Sequence, residues 1–286
     1  ISACLLGNPV RFNGGHKESR LCSETLAQHF EFVPVCPEVA IGLGTPREPI
    51  RLVGDTDAPK AVGTVRPELD VTEALAAYGR QIAEQLHDIN GYILMQKSPS
   101  CGMERVKVYA ANGHTQPGGG SGVFAQALMQ ACPDLPVEED GRLNDAVLRE
   151  NFLTRVYAHA DWQRLRQAGL SRRAIVDFHS RYKYQLMASN PLQYKVLGRL
   201  VAQLAEHSLE EFAPQYFSQL MQALKKPATR GTHCNVLLHL SGYLKDALGA
   251  EDRREMRHLI DQYRAGVIPL VVPLTLLKHH FRRHPD

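Results

Sequence analysis

The chain reads as an α/β amino-terminal domain with a mostly parallel sheet, followed by an all-α carboxyl-terminal domain. Three observations predict this. Short apolar runs alternate with amphipathic helical stretches over the first half, the pattern of a parallel sheet covered by helices. The second half has helical periodicity and no convincing strand. Charge divides at the same place. Residues 1–150 carry 13 Lys+Arg against 19 Asp+Glu, a net −6, whereas residues 151–286 carry 20 against 11, a net +9. The predicted domains are residues 1–142 and 143–286, with the acidic stretch Glu138-Glu139-Asp140-Gly141 at the join.

In the first domain a strand ends at Cys4, and Ser19 to Phe30 has a helical pattern. Phe32 to Val35 is a short apolar strand, Pro37 to Leu43 opens with a helical turn, and Ile50 to Val53 is another short strand. Asp70 caps an amphipathic helix from Val71 to Asp88 with Leu75, Ile82 and Leu86 on its apolar face. The strand Tyr92 to Met95 follows, then Gly118 to Gly122 leading into a helix from Val123 to Ala131, and a last strand at Leu135-Pro136-Val137. In the second domain helices run over about 145–168, 172–188, 191–206, 209–224, 229–248 and 252–265, with a last one from about Val272. They break at Gly169, Asn190-Pro191, Lys226-Pro227, Gly249 and Pro269.

Composition narrows the class. A chain of 286 residues that is 44% hydrophobic can bury a proper core. No apolar run approaches the roughly 18 residues of a membrane span. Ile1 lies inside the predicted first strand, as expected of a chain whose start is trimmed. Six cysteines, widely spread, do not make a disulfide scaffold. They point to a reducing, cytoplasmic setting with free or metal-bound thiols. No Walker-type or pyrophosphate-binding motif is present, so ATP is not expected.

Three cysteines stand out. Cys4, Cys36 and Cys101 each follow a predicted strand, in Ser2-Ala3-Cys4-Leu5-Leu6-Gly7, Val35-Cys36-Pro37-Glu38 and Gln96-Lys97-Ser98-Pro99-Ser100-Cys101-Gly102. Ligands of open parallel sheets bind beyond the carboxyl ends of the strands, where three such thiols would converge on a metal cluster. Three cysteines on a [4Fe–4S] cluster leave one iron open to substrate. The bland alternative is three buried core thiols. Glu38 is a candidate general acid or base, or a carboxylate that only stabilises a helix start. Ser98 and Ser100 are candidate polar partners or loop caps. Gly118 to Gly122 is an anion site at a helix start or a plain turn.

These three motifs, with Thr45-Pro46-Arg47 after the second, resemble the bacterial thiouracil desulfidase family over about residues 1–140. The resemblance implies an oxygen-sensitive [4Fe–4S] cluster on Cys4, Cys36 and Cys101. It also implies catalytic roles for Glu38 and Ser100, with Ser98 the alternative to Ser100. The second domain, through Phe178 to Ala188, Asn235 to Tyr243 and Ile268 to Leu274, resembles a helical partner often fused to that module. Such fusions resemble bacterial tRNA 4-thiouridine desulfidases, which implies hydrolytic, non-redox removal of sulfur from 4-thiouridine in tRNA. The expected tRNA-binding residues are Arg172, Arg173, His179, Arg181, Lys183, Lys225, Lys226, Arg230 and His233. His179 and Lys183 share a helix face as an expected binding pair, and one of Tyr182 and Tyr184 is expected to stack on a base while the other is core. His239 and the group His279, His280 and His284 read as a solvated basic face. Three competing readings are a desulfidase of free thiouracil or thionucleosides, a tRNA-thiolating enzyme, and a non-catalytic iron–sulfur regulator that binds RNA.

Overall fold

A computed structural model describes every residue except His87 and Asp286. It divides into two compact units, Ile1–Gln163 and Arg164–Asp286. The division between the units falls inside a long helix, beyond the 142/143 join. Two features place it there. Glu138, Glu139 and Asp140 are buried, and Phe152 and Val156 of the long helix complete a core cluster of the first unit.

The first unit contains α1 (Pro37–Ala40), β1 (Ile50–Gly54), β2 (Pro59–Gly63), α2 (Thr72–Gln85), β3 (Tyr92–Leu94), β4 (Val108–Tyr109), α3 (Val123–Ala131) and β5 (Val137–Glu139). The sheet structure is small and mixed, which corrects the expectation of a mostly parallel sheet. One three-stranded sheet has the order β2-β1-β4, with β1 antiparallel to β2 and parallel to β4. The other is the parallel pair β3-β5. The antiparallel strand arises because Asp55 to Ala58 turns the chain back on β1, pairing Gly54 with Pro59. Proline is tolerated there because it starts the strand.

The expected strands at Cys4 and at Phe32–Val35 shrink to a single parallel bridge, Ser2 with Val35. Its neighbourhood is nevertheless what brings the cysteine segments together. Ala3 N donates to Val35 O, Val35 N to Ile1 O and Ser2 N to Ile93 O, each at 2.9 Å. Ala3–Leu6 then winds into a 3-10 turn. The helix expected from Ser19 to Phe30 is instead a π turn, Leu21–Thr25, and a 3-10 turn, Leu26–Gln28, anchored by buried Cys22 and Leu26.

Asp70 accepts a hydrogen bond from Thr72 N at 2.9 Å as α2 begins, and Leu75 and Ile82 are buried. The predicted helix end reaches past His87, which lies outside the described residues. Leu94, Phe124 and Leu128 join Leu75 in the main core of this unit.

From α4 (Ala146–Gln167), which crosses the division, the chain enters α5 (Arg172–Ser189), α6 (Pro191–Ala202), α7 (Leu209–Leu224), α8 (Arg230–Tyr243), α9 (Ala250–Ala265) and α10 (Val271–Arg283). Helix starts are fixed by local chemistry. Ser171, Asn190 and Ser208 accept bonds from backbone N–H groups of the first turns of α5, α6 and α7, and Thr229 with Thr232 forms a capping box on α8. Phe178, Tyr182 and Leu186 put the inner face of α5 in the core, and the Phe178 ring meets Tyr216 of α7 edge-on at 6.4 Å. Leu237, Ile260 and Leu277 join α8, α9 and α10. No helix among the described residues is long and apolar enough to cross a membrane.

Gly79 of α2 shows which force wins at the α2–α3 contact. A Cβ there would lie 2.8 Å from both Ala127 Cβ and Phe124 O. Helix propensity favours alanine over glycine by about 1 kcal/mol, but overpacking costs about 1–3 kcal/mol. Gly79→Ala is therefore expected to lower stability in urea unfolding. A gain would show that the two helices can separate without cost.

Candidate active site

Each cysteine segment is held by backbone groups, and together they enclose one cavity. Cys4, Cys36, Cys101, Glu38, Ser98 and Ser100 all line this space of about 490 Å³ in the first unit. The segment from Gln96 to Gly102 is fastened from several sides. Lys97 adopts a left-handed backbone, φ 58°, to make its turn. Ser98 Oγ accepts from Cys101 N at 3.1 Å and from Ser100 N at 3.3 Å. The first N–H groups of α3 donate into this loop, Val123 N to Pro99 O and Ala125 N to Ser100 O, both at 3.1 Å. Those donors would otherwise lack partners at a helix start. In the glycine run Gly122 N donates to Gly102 O at 2.8 Å and Gly120 N to Val106 O at 2.9 Å, so these two N–H groups serve the backbone rather than an anion. The missing Cβ of Gly122 lets the backbone of Ser100 come within 2.5 Å of where that carbon would be.

Buried acids in and just after β5 hold the same loop from the other side. Asp140 Oδ1 accepts from Gln96 N at 3.0 Å, and Glu139 Oε1 accepts from Met103 N at 2.9 Å. Burial pushes the Glu139 carboxyl pKa up, opposed by its backbone donors. The sequence reading missed both roles, because an acidic run is normally a solvated face. Their only signal was the strand pattern running directly into the acids.

Glu38 is the centre of the polar geometry. Its Oε1 accepts from Ser100 Oγ at 2.5 Å, and Ser98 Oγ lies 3.0 Å from Ser100 Oγ. Its Oε2 is taken by Arg47, through Nε at 2.8 Å and Nη2 at 2.7 Å. The Arg47 side chain is only 5% exposed and that of Glu38 14%. Arg47 Nη2 also donates to Val10 O at 2.9 Å, a carbonyl 3.8 Å from Cys36 Sγ, and Nη1 donates to Gly44 O at 2.8 Å. Arg47 was visible in the sequence only as part of a motif. Its pairing with Glu38 needs the intervening turn to fold back.

All six cysteines are free, and Cys22, Cys132 and Cys234 do not line the cavity. Burial, then the neighbouring Cys36, pushes the Cys4 thiol up to about 11. Burial, then Glu38, pushes Cys101 up to about 12. Among the described residues no group of three or more His, Cys, Asp or Glu side chains is gathered tightly enough to hold a single metal ion. Three soft sulfur donors spread around one cavity, with no fourth cysteine, instead suit a larger iron–sulfur group with one position left open. Loading such a group would displace the thiol protons.

The expected tRNA-binding residues lie in the second unit, and they differ in exposure. Arg172, Arg173, Arg181, Lys225, Lys226 and Arg230 are exposed. Arg172 donates to His207 O at 3.1 Å, and Arg173 lies 3.8 Å from Asp177. Lys183 is half-buried over the Tyr184 ring, and His233 is half-buried with Nδ1 2.8 Å from the Tyr263 hydroxyl. His179 corrects the expected binding pair. It is 9% exposed, with Nδ1 3.0 Å from the Tyr216 hydroxyl, because it follows Phe178 on the inner face of α5. Burial, then Lys183, lowers its pKa. Tyr182 is the core tyrosine and Tyr184 the more exposed one. His280 is buried, not part of a solvated face.

Two substitutions test the site's construction. Arg47→Met leaves the nearly buried Glu38 carboxylate without its cation and is expected to cost about 3 kcal/mol in urea unfolding. Adding Glu38→Gln should recover part of that loss; strict additivity would mean that the pair is not coupled. Gly122→Ala should cost about 1–3 kcal/mol by forcing the Ser100 backbone away, and unchanged stability would show that the loop has room to move.

Residues 1–140 match the family described as 2-thiouracil desulfurase, and residues 183–286 match one described as a protein of unknown function, DUF1722. The chain is 36% identical over 138 residues to YbgA of Escherichia coli (strain K12), covering 48% of this chain and 82% of that one. It is 33% identical over 151 residues to YbbK of Bacillus subtilis (strain 168), covering 51% and 97%. A solved structure titled [4Fe-4S]-dependent thiouracil desulfidase TudS is 32% identical and covers 50% of this chain and 90% of its own, with a TM-score of 0.39. With a family match over residues 1–140 and relatives spanned over 82% and 97% of their lengths, the chain belongs to the 2-thiouracil desulfurase family.

Proposed function

We propose that this chain removes sulfur from 4-thiouridine in tRNA, giving uridine by hydrolysis without net redox change. The observation that carries this reading is that three motif cysteines and the Glu38–Ser100 pair line one cavity. Cys4, Cys36 and Cys101 would hold a [4Fe–4S] cluster. When bound, the cluster supplies an open iron with affinity for thiocarbonyl sulfur. In the overall reaction one water oxygen replaces sulfur on carbon, and sulfide leaves with the two protons of that water.

The chain's own residues handle the proton. Arg47 fixes one oxygen of Glu38, so the other has a single direction in which to work. Glu38 accepts the proton of the attacking water, and Ser100 orients Glu38 or relays that proton. A cavity of about 490 Å³ is in the range of ligand pockets and accommodates one pyrimidine. A base in folded RNA reaches it only after leaving its stack. The second unit supplies the grip: Arg164–Asp286 carries 19 Lys+Arg against 10 Asp+Glu, a net +9.

Free thiouracil is the second reading, favoured by the cavity lying wholly within the first unit. The test is anaerobic. After cluster reconstitution, sulfur-modified tRNA and free 4-thiouracil are supplied separately while near-ultraviolet absorbance and released sulfide are followed. Loss of the tRNA band with sulfide release is expected. Turnover of the free base alone would select the second reading, and inertness toward both would remove the desulfidase assignment. Cys4→Ala, Cys36→Ala and Cys101→Ala should each abolish the brown chromophore and turnover. A variant that kept both would not have lost a cluster ligand.

A further inference from the structure

We propose that Tyr243, braced by Tyr184 and His239, forms a stacking platform for an unpaired nucleobase of RNA. This rests on the reading of the second unit as the RNA-holding part, but its observations are separate from the desulfidase cavity. His239 and Tyr243 are four residues apart on α8 and share one face. Cys234 and Leu237 point that helix's other face into the core. Tyr184 comes from α5. The Tyr184 and His239 rings are tilted at 53° with centroids 6.0 Å apart, and His239 meets Tyr243 edge-on at 88° and 5.5 Å, so the neighbours buttress Tyr243 rather than extend its plane.

Polar contacts hold these rings in place before any ligand arrives. Tyr184 Oη donates to Tyr243 Oη at 3.3 Å, and Tyr243 Oη lies 3.3 Å from His239 Nε2. Even so, Tyr243 is 56% exposed, the behaviour of a side chain with a face to offer. Lys183 Nζ sits 4.9 Å above the Tyr184 ring, placing a cation beside the cluster.

Charge identifies the occupant. Helices α5, α6 and α8 together carry seven Lys+Arg and one acidic residue, Asp177. Lys183 lies at the rings and Arg181 is three residues before Tyr184 on α5; exposed aromatic rings beside such cations match an unpaired nucleotide, whose base stacks while its phosphates meet the cations. A fully paired duplex offers phosphates, but apart from its two end pairs its bases have no free face.

The test compares the full chain with Tyr243→Leu and Tyr243→Phe by fluorescence anisotropy. The probes are a labelled single-stranded RNA and a blunt RNA duplex of equal length. Tyr243→Leu should weaken single-strand binding roughly tenfold while changing duplex binding less than about twofold. Tyr243→Phe should bind nearly as the parent does. Equal affinity of Tyr243→Leu and parent for the single strand, or equal losses on both probes, would overturn the platform. If the parent binds neither RNA, the RNA-holding reading fails and takes the platform with it. Self-association that depends on Tyr243, with RNA binding unchanged, would assign the patch to a protein contact instead.

Discussion

The Glu38 carboxylate is the interaction on which the site depends. One oxygen accepts the Ser100 hydroxyl and the other is clamped by Arg47. Through these bonds it joins the segment carrying Cys36 to the segment carrying Cys101. Arg47 extends the tie to the Val10 carbonyl, close to Cys36 Sγ. A nearly buried ion pair is seldom a net source of stability, because desolvation offsets the Coulomb gain. Its value here is geometric: it leaves Glu38 one usable oxygen, facing the hydroxyl beside a candidate ligand. Glu38 thus ties the two loop segments and, in the proposed reaction, is also the proton acceptor.

The fold around it serves to fix loops. The Cys101 segment borrows the unpaired N–H groups at the start of α3 and the carboxylates of Asp140 and Glu139 in and after β5. Gly122 permits the close approach that a side chain would block. Cys4 and Cys36 are brought together by only a few hydrogen bonds around the Ser2–Val35 bridge. Long ladders are unnecessary where helix ends and buried carboxylates hold the backbone.

Much of this was legible in the sequence. The helical half could be divided correctly at Gly169, Asn190-Pro191 and Lys226-Pro227, because capping and helix-breaking chemistry is local. The cysteine motifs, Glu38 and Ser100 stood out for a similar reason, since each lies in a short distinctive stretch. Features made by chain reversal did not show. β2 depends on the turn after Gly54, Arg47 on a fold-back toward Glu38, and the burial of Glu139 and Asp140 on a neighbouring loop in need of acceptors. His179 misled because a helix face shared with Lys183 does not reveal which neighbours are core. The aromatic cluster joins α5 to α8, residues nearly sixty positions apart, and no local pattern reports such a meeting.

In the proposed reaction Glu38 moves the proton while the cysteines hold the cluster. The direct measurement is single-turnover loss of 4-thiouridine absorbance by anaerobically reconstituted Glu38→Gln, with iron and sulfide content determined on the same sample. Parental cluster content with a rate lowered by about 10²–10⁴ is expected. Parental turnover at full cluster content would contradict this assignment, and loss of the cluster would make Glu38 a structural tie rather than the group that moves the proton.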